Sequence, residues 1–153
     1  MIDKMSRMKS KISTDPKVLQ KLAHHEDWVV RINVAQNPHT DKSTLMFLSD
    51  DPVWEVVAWL PDNINCPKEV YDKLSDSSDA DVLYYLVNSS LTPWNIIKYV
   101  LEENKNADLN VKITAIKSGK IPYKILEKYV NSSNSKLRDV ASQQIQLYNH
   151  KSA

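Results

Sequence analysis

The chain has 153 residues, of which 42% are hydrophobic and 25% are charged, and its formal net charge is +1. These values are ordinary for one soluble domain with an adequate core, and the apolar runs are too short to span a bilayer. A single glycine leaves almost no material for glycine-rich phosphate-binding loops, which excludes most nucleotide-dependent enzymes. Cys66 is the only cysteine, so no internal disulfide can form. Together with the lack of an apolar leader segment, this predicts a cytoplasmic protein.

The first 13 residues have the pattern of an amphipathic helix. Their apolar side chains are spaced three or four residues apart, at Ile2, Met5, Met8 and Ile12. This spacing places them on one face of a helix. We expect residues 1–13 to form an N-terminal capping helix whose apolar face covers the open end of the structure that follows.

From residue 14 onward the sequence repeats with a period of 26 residues. One register of the repeat contains Leu19, Leu45, Tyr71 and Ile97, and another contains Val30, Val56 and Val82. A period of this length is typical of a solenoid, in which each unit buries its apolar face against its neighbours. We expect a solenoid over residues 14–148, followed by a C-terminal tail at residues 149–153. Its five units are residues 14–39, 40–65, 66–91, 92–120 and 121–148.

Each unit is expected to contain two short helices, A and then B. In the first unit, Leu19 and Leu22 belong to one helix-spaced apolar stripe, and Val30 and Val34 belong to a second. The polar segment 24–27 separates the two stripes. This spacing predicts an all-α fold of about five two-helix repeats.

The predicted helix ends follow from residues that favour caps. Threonine is expected as the N-cap of A helices at Thr14, Thr40 and Thr92. Proline is expected at the first helical position at Pro67, Pro93 and Pro122. Asn37 and Asn63 are one period apart and suit left-handed C-terminal caps, and Gly119 is expected to end the fourth B helix.

The first repeat and the start of the second carry a recognisable motif. They read Leu19-x-x-Leu22-Ala23, then Val30-Arg31-x-x-Val34-Ala35-x-Asn37-Pro38, then Leu45-x-x-Leu48. This pattern resembles the leucine-rich repeat variant (LRV) family, which is similar in appearance to HEAT repeats. The resemblance implies a right-handed α-solenoid that acts as a binding scaffold. The founding type of that family carries an iron–sulfur cluster on a cysteine-rich segment, and one cysteine cannot supply such a site, so no cofactor is expected.

Aromatic residues on the B helices are the leading candidates for a binding site. Trp59 and Tyr85 are one period apart with Tyr84 beside them, and Trp28 and Trp54 form a second pair with the same spacing. The B helices of helical solenoids usually line the concave face, where Trp and Tyr bury a large area at low entropic cost. The leading hypothesis is therefore a protein-binding scaffold whose partner contacts these aromatic residues. The alternative is that they pack between neighbouring repeats.

Nucleic-acid binding is the competing hypothesis. Residues 1–40 carry a net charge of +3, residues 41–91 carry −7 and residues 92–153 carry +5. The basic last block offers candidate phosphate ligands at Lys112, Lys117, Lys120 and Arg138. An acidic middle block would interrupt any phosphate path along the molecule, so a nucleic-acid partner is the less favoured prediction.

The sequence shows no catalytic or metal-binding constellation. His24 and His25 are adjacent, and consecutive helical residues point about 100° apart, so their imidazoles cannot easily share one ion. Cys66 occupies a helix N-cap register with no histidine at a fixed distance, which favours a structural role. We therefore expect no enzyme activity, no metal and no cofactor.

Overall fold

The structure is a computed structural model that describes residues 3–151. Over these residues it contains only helices and connecting turns, which confirms the all-α prediction. The α-helices are α1 Lys4–Ile12, α2 Pro16–Leu22, α3 Trp28–Gln36, α4 Lys42–Leu48, α5 Trp54–Ala58, α6 Lys68–Ser75, α7 Ala80–Asn88, α8 Trp94–Glu102, α9 Leu109–Lys117, α10 Tyr123–Val130 and α11 Ser135–Lys151. A short 3-10 turn, Leu60–Asp62, follows α5. None of the described helices is long and apolar enough to cross a membrane.

Helices that are alternate in the chain pack against each other. The odd-numbered helices contact one another in chain order from α1 to α11, and α6 packs on both α4 and α8. Leu19, Leu45 and Ile97, which share a register of the 26-residue period, are each fully buried in the common core. The period therefore marks the side chains that neighbouring helices bury between them.

The apolar face of α1 points away from the rest of the protein, which corrects the predicted orientation of this helix. Met5, Met8 and Ile12 are 71%, 56% and 67% exposed, and Ile2 lies outside the described residues. Polar groups instead join α1 to α3. Arg7 pairs with Asp27 at 2.6 Å, and the buried Ser10 lies on the packed side. The buried hydroxyl of Ser10 is satisfied because it donates to the backbone carbonyl of Arg7.

Aspartate, one residue later than predicted, caps the first two A helices. Asp15 accepts from the backbone N–H of Lys17 at 2.9 Å, and Asp41 accepts from Thr44 at 2.7 Å. The threonine N-caps were wrong: Thr40 is buried and donates to the carbonyl oxygen of Val34. Thr14 is exposed, and the buried hydroxyl of Thr92 has no hydrogen-bond partner among the described residues. The prolines predicted at the first helical position occupy the cap position instead, at Pro67, Pro93 and Pro122.

Asn37 and Asn63 do not adopt the predicted left-handed cap. Their backbones are extended, with φ of −71° and −80°, and their buried amides act on the preceding helices. Asn63 Nδ2 donates to the carbonyl oxygens of Ala35 at 2.7 Å and Asn37 at 2.9 Å, at the end of α3. Carbonyls at a helix C-terminus lack partners within the helix. The asparagine amides supply hydrogen-bond donors to such carbonyls and thereby link one helix end to the next turn.

Two features of the C-terminal half bear on the predicted boundaries. Gly119 follows the end of α9, as predicted, and the structure shows that it does so in the left-handed conformation, with φ of +71°. The helix α11 continues through Lys151, so the predicted tail at residues 149–153 begins inside a helix. Residues 152 and 153 lie outside the described part of the chain.

Candidate partner-binding surface

Four of the five predicted aromatic residues meet in one cluster. Tyr85 lies at its centre, with ring centroids 6.1 Å from Trp54, 6.0 Å from Trp59 and 5.6 Å from Tyr84. The Tyr84 and Tyr85 rings meet edge to face, and all three distances are within the range of favourable aromatic pairs. We call these four residues the aromatic cluster.

The repeat period explains how the cluster forms. Trp54 begins α5 and Trp59 follows its last residue, while Tyr84 and Tyr85 lie in the middle of α7. Because α5 packs on α7, side chains one period apart lie next to each other on adjacent helices. A spacing of 26 residues in sequence thus becomes a side-by-side contact between Trp59 and Tyr85.

The cluster is partly core and partly surface. Trp54 and Trp59 are half-buried and pack against the hydrophobic core, and Tyr85 is also half-buried. Tyr84 is exposed at 39% and forms the outer edge of the cluster. Trp28, the first residue of α3, is 44% exposed and takes no part in the ring contacts described for the cluster.

A cavity of about 340 Å³ lies beside Tyr84, between α7 and α9. Two carboxylates, Asp81 and Asp108, contribute to its lining. The remaining lining residues are Ala80, Tyr84, Asn110, Val111, Ile113 and Thr114. The cavity therefore combines apolar walls, one aromatic ring and two acidic groups.

Carboxylates also lie along the helices that carry the cluster. Glu55 is four residues before Trp59, and Asp81 is three and four residues before Tyr84 and Tyr85, so each acid shares a helix face with an aromatic residue. The ion pairs found among the described residues do not involve Glu55, Asp81 or Asp108. Asp108 accepts from the backbone N–H of Val111 at 2.8 Å and caps α9. The surface around the cluster is therefore negatively charged.

The sequence reasoning found the aromatic residues but missed the two cavity carboxylates. Asp81 lies inside α7 and Asp108 caps α9, so the two do not occupy equivalent positions and the 26-residue period does not pair them. A signal was present nearer by: Asp81 precedes Tyr84 by one helical turn. Asp108 precedes a B helix directly, as Asp27 and Asp79 do.

Two of the four candidate phosphate ligands bind the backbone of their own chain. The ammonium of Lys120 donates to the carbonyl oxygens of Ser89 at 3.1 Å, Ser90 at 2.5 Å and Thr92 at 2.8 Å. Burial lowers the pKa of Lys120, partly offset by attraction to Asp62. The ammonium of Lys120 therefore already forms hydrogen bonds within the fold, in the absence of a phosphate ligand.

Arg138 likewise binds the turn that precedes its own helix. Its Nη1 donates to the carbonyl oxygens of Ser132 at 2.8 Å and Ser133 at 3.2 Å. Arg31 makes the same pair of contacts in α3, with donors five and six residues after the acceptors. Lys112 and Lys117 lie on α9, half-buried and exposed respectively.

The adjacent histidines and the cysteine have separate surroundings. The rings of His24 and Phe47 are tilted by 42° with centroids 4.2 Å apart, and His25 Nε2 lies 3.3 Å from the carboxylate of Asp3. Over residues 3–151 no three potential ligands are grouped to hold a metal ion. Burial raises the pKa of the Cys66 thiol to about 12, so at neutral pH this sulfur is a protonated, weak nucleophile.

No family model matches this chain, and no curated protein or solved structure matches it. The candidate surface is therefore defined by its own residues. Its distinguishing features are the four clustered aromatic rings, the adjoining cavity and the carboxylates around both.

Proposed function

We propose that the chain is a non-enzymatic, cytoplasmic protein-interaction scaffold that binds a partner protein through the aromatic cluster. The contact of Trp54, Trp59 and Tyr84 with the central Tyr85 carries this proposal. Trp and Tyr dominate the energetics of protein interfaces because they bury large areas and lose few rotatable bonds. A cluster with a half-buried base and an exposed edge offers such an anchor on a rigid support.

The scaffold is proposed to be a right-handed α-solenoid of five two-helix repeats, of the LRV or HEAT-like type. The 26-residue registers and the contacts between alternate helices support the repeat arrangement. The handedness and the family rest on the resemblance of residues 14–48. In this arrangement the odd-numbered helices form one continuous surface, on which Trp28 of α3 extends the aromatic row beyond the cluster.

A protein partner fits this surface better than a nucleic acid does. The aromatic cluster lies within the block of residues 41–91, whose net charge is −7 and would repel phosphate. In the basic block, Lys120 and Arg138 already donate to backbone carbonyls. The remaining candidates, Lys112 and Lys117, both belong to the single helix α9.

The proposal is tested by comparing partner capture by variants of the immobilised chain. Tyr84→Ala removes an exposed ring, and Tyr85→Leu removes the central ring while keeping apolar volume. Extract of the native host is passed over each variant, and bound proteins are quantified by mass spectrometry. Proteins captured by the unmodified chain should be lost with both variants, since an anchor of this kind contributes about 2 kcal/mol or more.

Trp94→Ala is the matched control. Trp94 is 49% exposed, begins α8 and takes no part in the ring contacts of the aromatic cluster. Circular dichroism and thermal unfolding of each variant show whether a loss of capture follows from unfolding. Capture that survives Tyr84→Ala and Tyr85→Leu but fails with Trp94→Ala would contradict the proposal and move the interface to the even-numbered helices.

A further inference from the structure

We infer that the partner segment carries lysine or arginine, and that one of its cationic side chains occupies the cavity between α7 and α9. This inference rests on the proposed function, because it identifies the chemistry of the segment that docks on the aromatic cluster. The cavity and the cluster share Tyr84, so one segment can contact both.

The cavity has the form of a site for a long cationic side chain. Val111 and Ile113 offer apolar wall, while the carboxylates of Asp81 and Asp108 contribute negative charge to the same lining. Lysine and arginine have a matching division between an apolar stem and a charged head. A volume of about 340 Å³ is ample for one such side chain and its remaining water.

Aromatic rings strengthen the preference for a cation. A cation close to the face of Tyr or Trp is attracted by the ring quadrupole, whose negative potential lies over the face, by about 0.5–1 kcal/mol at exposed sites. Tyr84 lines the cavity and the Tyr85, Trp54 and Trp59 rings continue from it. A segment with several basic residues could therefore place one in the cavity and others over the rings.

Asp81 and Asp108 differ from two carboxylates of another cavity, because neither is joined to a cation in the ion pairs of the described residues. A second cavity of about 340 Å³ lies between the turn that follows α2 and the turn that follows α4, and Asp50 and Asp51 are among its lining residues. There Arg31 pairs with Asp51 at 2.6 Å, and Lys73 pairs with Asp50 at 2.5 Å. No lysine or arginine lines the cavity beside Tyr84, and the described ion pairs leave out Asp81 and Asp108.

An acidic or neutral segment would lose this complementarity. Like charges placed opposite each other across an interface are costly, and the acidic block of residues 41–91 surrounds the cluster. Attraction between this block and a basic segment also speeds association in a manner that weakens as salt rises. Charge complementarity therefore favours a basic segment over an acidic or neutral one.

The first experiment uses a display library of random peptides as the probe. The full chain is immobilised, bound peptides are recovered, and their lysine and arginine content is compared with that of the input library. We expect enrichment of both residues among the peptides whose binding is lost with Tyr84→Ala. Peptides that need Tyr84 but contain no cationic residue would overturn this inference and leave the proposed function standing. Recovery only of peptides indifferent to Tyr84→Ala and Tyr85→Leu would contradict both.

The second experiment measures the affinity of the recovered basic peptides by fluorescence anisotropy. The double variant Asp81→Asn, Asp108→Asn removes both carboxylates, and asparagine at 108 retains the capacity to cap α9. Its control is Glu69→Gln, Asp139→Asn, which removes the same charge from exposed positions on α6 and α11. We expect about a fivefold loss of affinity with the first variant and almost none with the second. Equal losses would assign the effect to net charge alone and overturn the assignment to the cavity.

Discussion

The bridge between α3 and the turn after α5 uses an asparagine, whereas the bridge between α7 and the turn after α9 uses a lysine. Asn63 donates to the carbonyls of Ala35 and Asn37, and Lys120 donates to those of Ser89, Ser90 and Thr92. In both places the acceptors lie at the end of an odd-numbered helix or just after it, where carbonyls lack partners within the helix. A neutral amide and a charged ammonium thus perform the same structural task.

This difference shows why a basic sequence is not by itself a phosphate-binding surface. The acceptors of Lys120 are backbone carbonyls, and neither composition nor periodicity reveals them. The acidic side chains beside the aromatic cluster differ again, because the described ion pairs leave Asp81 and Asp108 without a cation. The contacts of each charged side chain in the structure decide whether it stabilises the fold or is accessible to a partner.

The largest effect on stability is expected from breaking the asparagine bridge. Asn63→Ala removes the side-chain donor to the carbonyl of Ala35 in a buried place, since Asn63 is 2% exposed, and leaves the carbonyl of Asn37 with the backbone N–H of Thr40. We expect the free energy of unfolding to fall by about 3 kcal/mol, measured by urea denaturation. Asn95→Ala, at an exposed position on α8, is the control and should change it by less than about 0.5 kcal/mol. Similar small changes in both variants would show that the bridge contributes little.

A smaller effect is expected from breaking the lysine bridge. Lys120→Met keeps the apolar stem and removes the donor to three carbonyls, but Lys120 is more accessible than Asn63, so water can replace part of the loss. We expect a decrease of about 1–2 kcal/mol in the free energy of unfolding. Lys117→Met, at an exposed position of the same region, should leave stability nearly unchanged. If the two variants are equally stable, Lys120 is not structural and returns to the set of candidate phosphate ligands.

The sequence was sufficient to predict that the chain is helical, because the spacing of apolar residues indicates which face of each helix is buried. It was insufficient for α1, where Met5, Met8 and Ile12 correctly indicate a helix but not its orientation. The packed side of α1 is held by Arg7 and by buried hydrogen bonds, which leave no periodic signal. The cap positions were displaced by one residue because adjacent threonine and aspartate both favour the N-cap.

The candidate site was predictable to the extent that it follows the period. The 26-residue spacing was enough to place Trp59 beside Tyr85, since equivalent positions on neighbouring helices become adjacent. The same reasoning could not decide between packing and exposure, and the cluster turns out to combine a half-buried base with an exposed Tyr84. The cavity next to it depends on side chains at α7 and α9 and required the structure.

The first and last contacts among the odd-numbered helices, at α1–α3 and at α11, also differ in what their arginines bind. This difference should affect how stability changes at low pH. At the α1–α3 junction Arg7 pairs with Asp27, the N-cap of α3, whereas Arg138 at the start of α11 binds turn carbonyls. The hydrogen bond from Arg7 lowers the pKa of Asp27 below its ordinary value of 3.8, assisted by the backbone N–H of Val29 and opposed by desolvation. Of the two junctions compared, the N-terminal one therefore has a carboxylate–arginine pair that acid can remove.

Asp27→Asn tests this pair, because asparagine can still cap α3 but cannot be ionised. A group whose pKa is lowered by folding stabilises the protein above its unfolded pKa, and that stabilisation is lost as the pH falls through the folded value. The difference in free energy of unfolding between the parent and Asp27→Asn should therefore be largest near neutral pH and should shrink below pH 3.8. Asp15→Asn is the control, because it changes a cap of the same kind at α2 that has no arginine in the described ion pairs. A pH-independent difference for Asp27→Asn would assign its role to capping alone and remove the ion pair from the account of how α1 is held on α3.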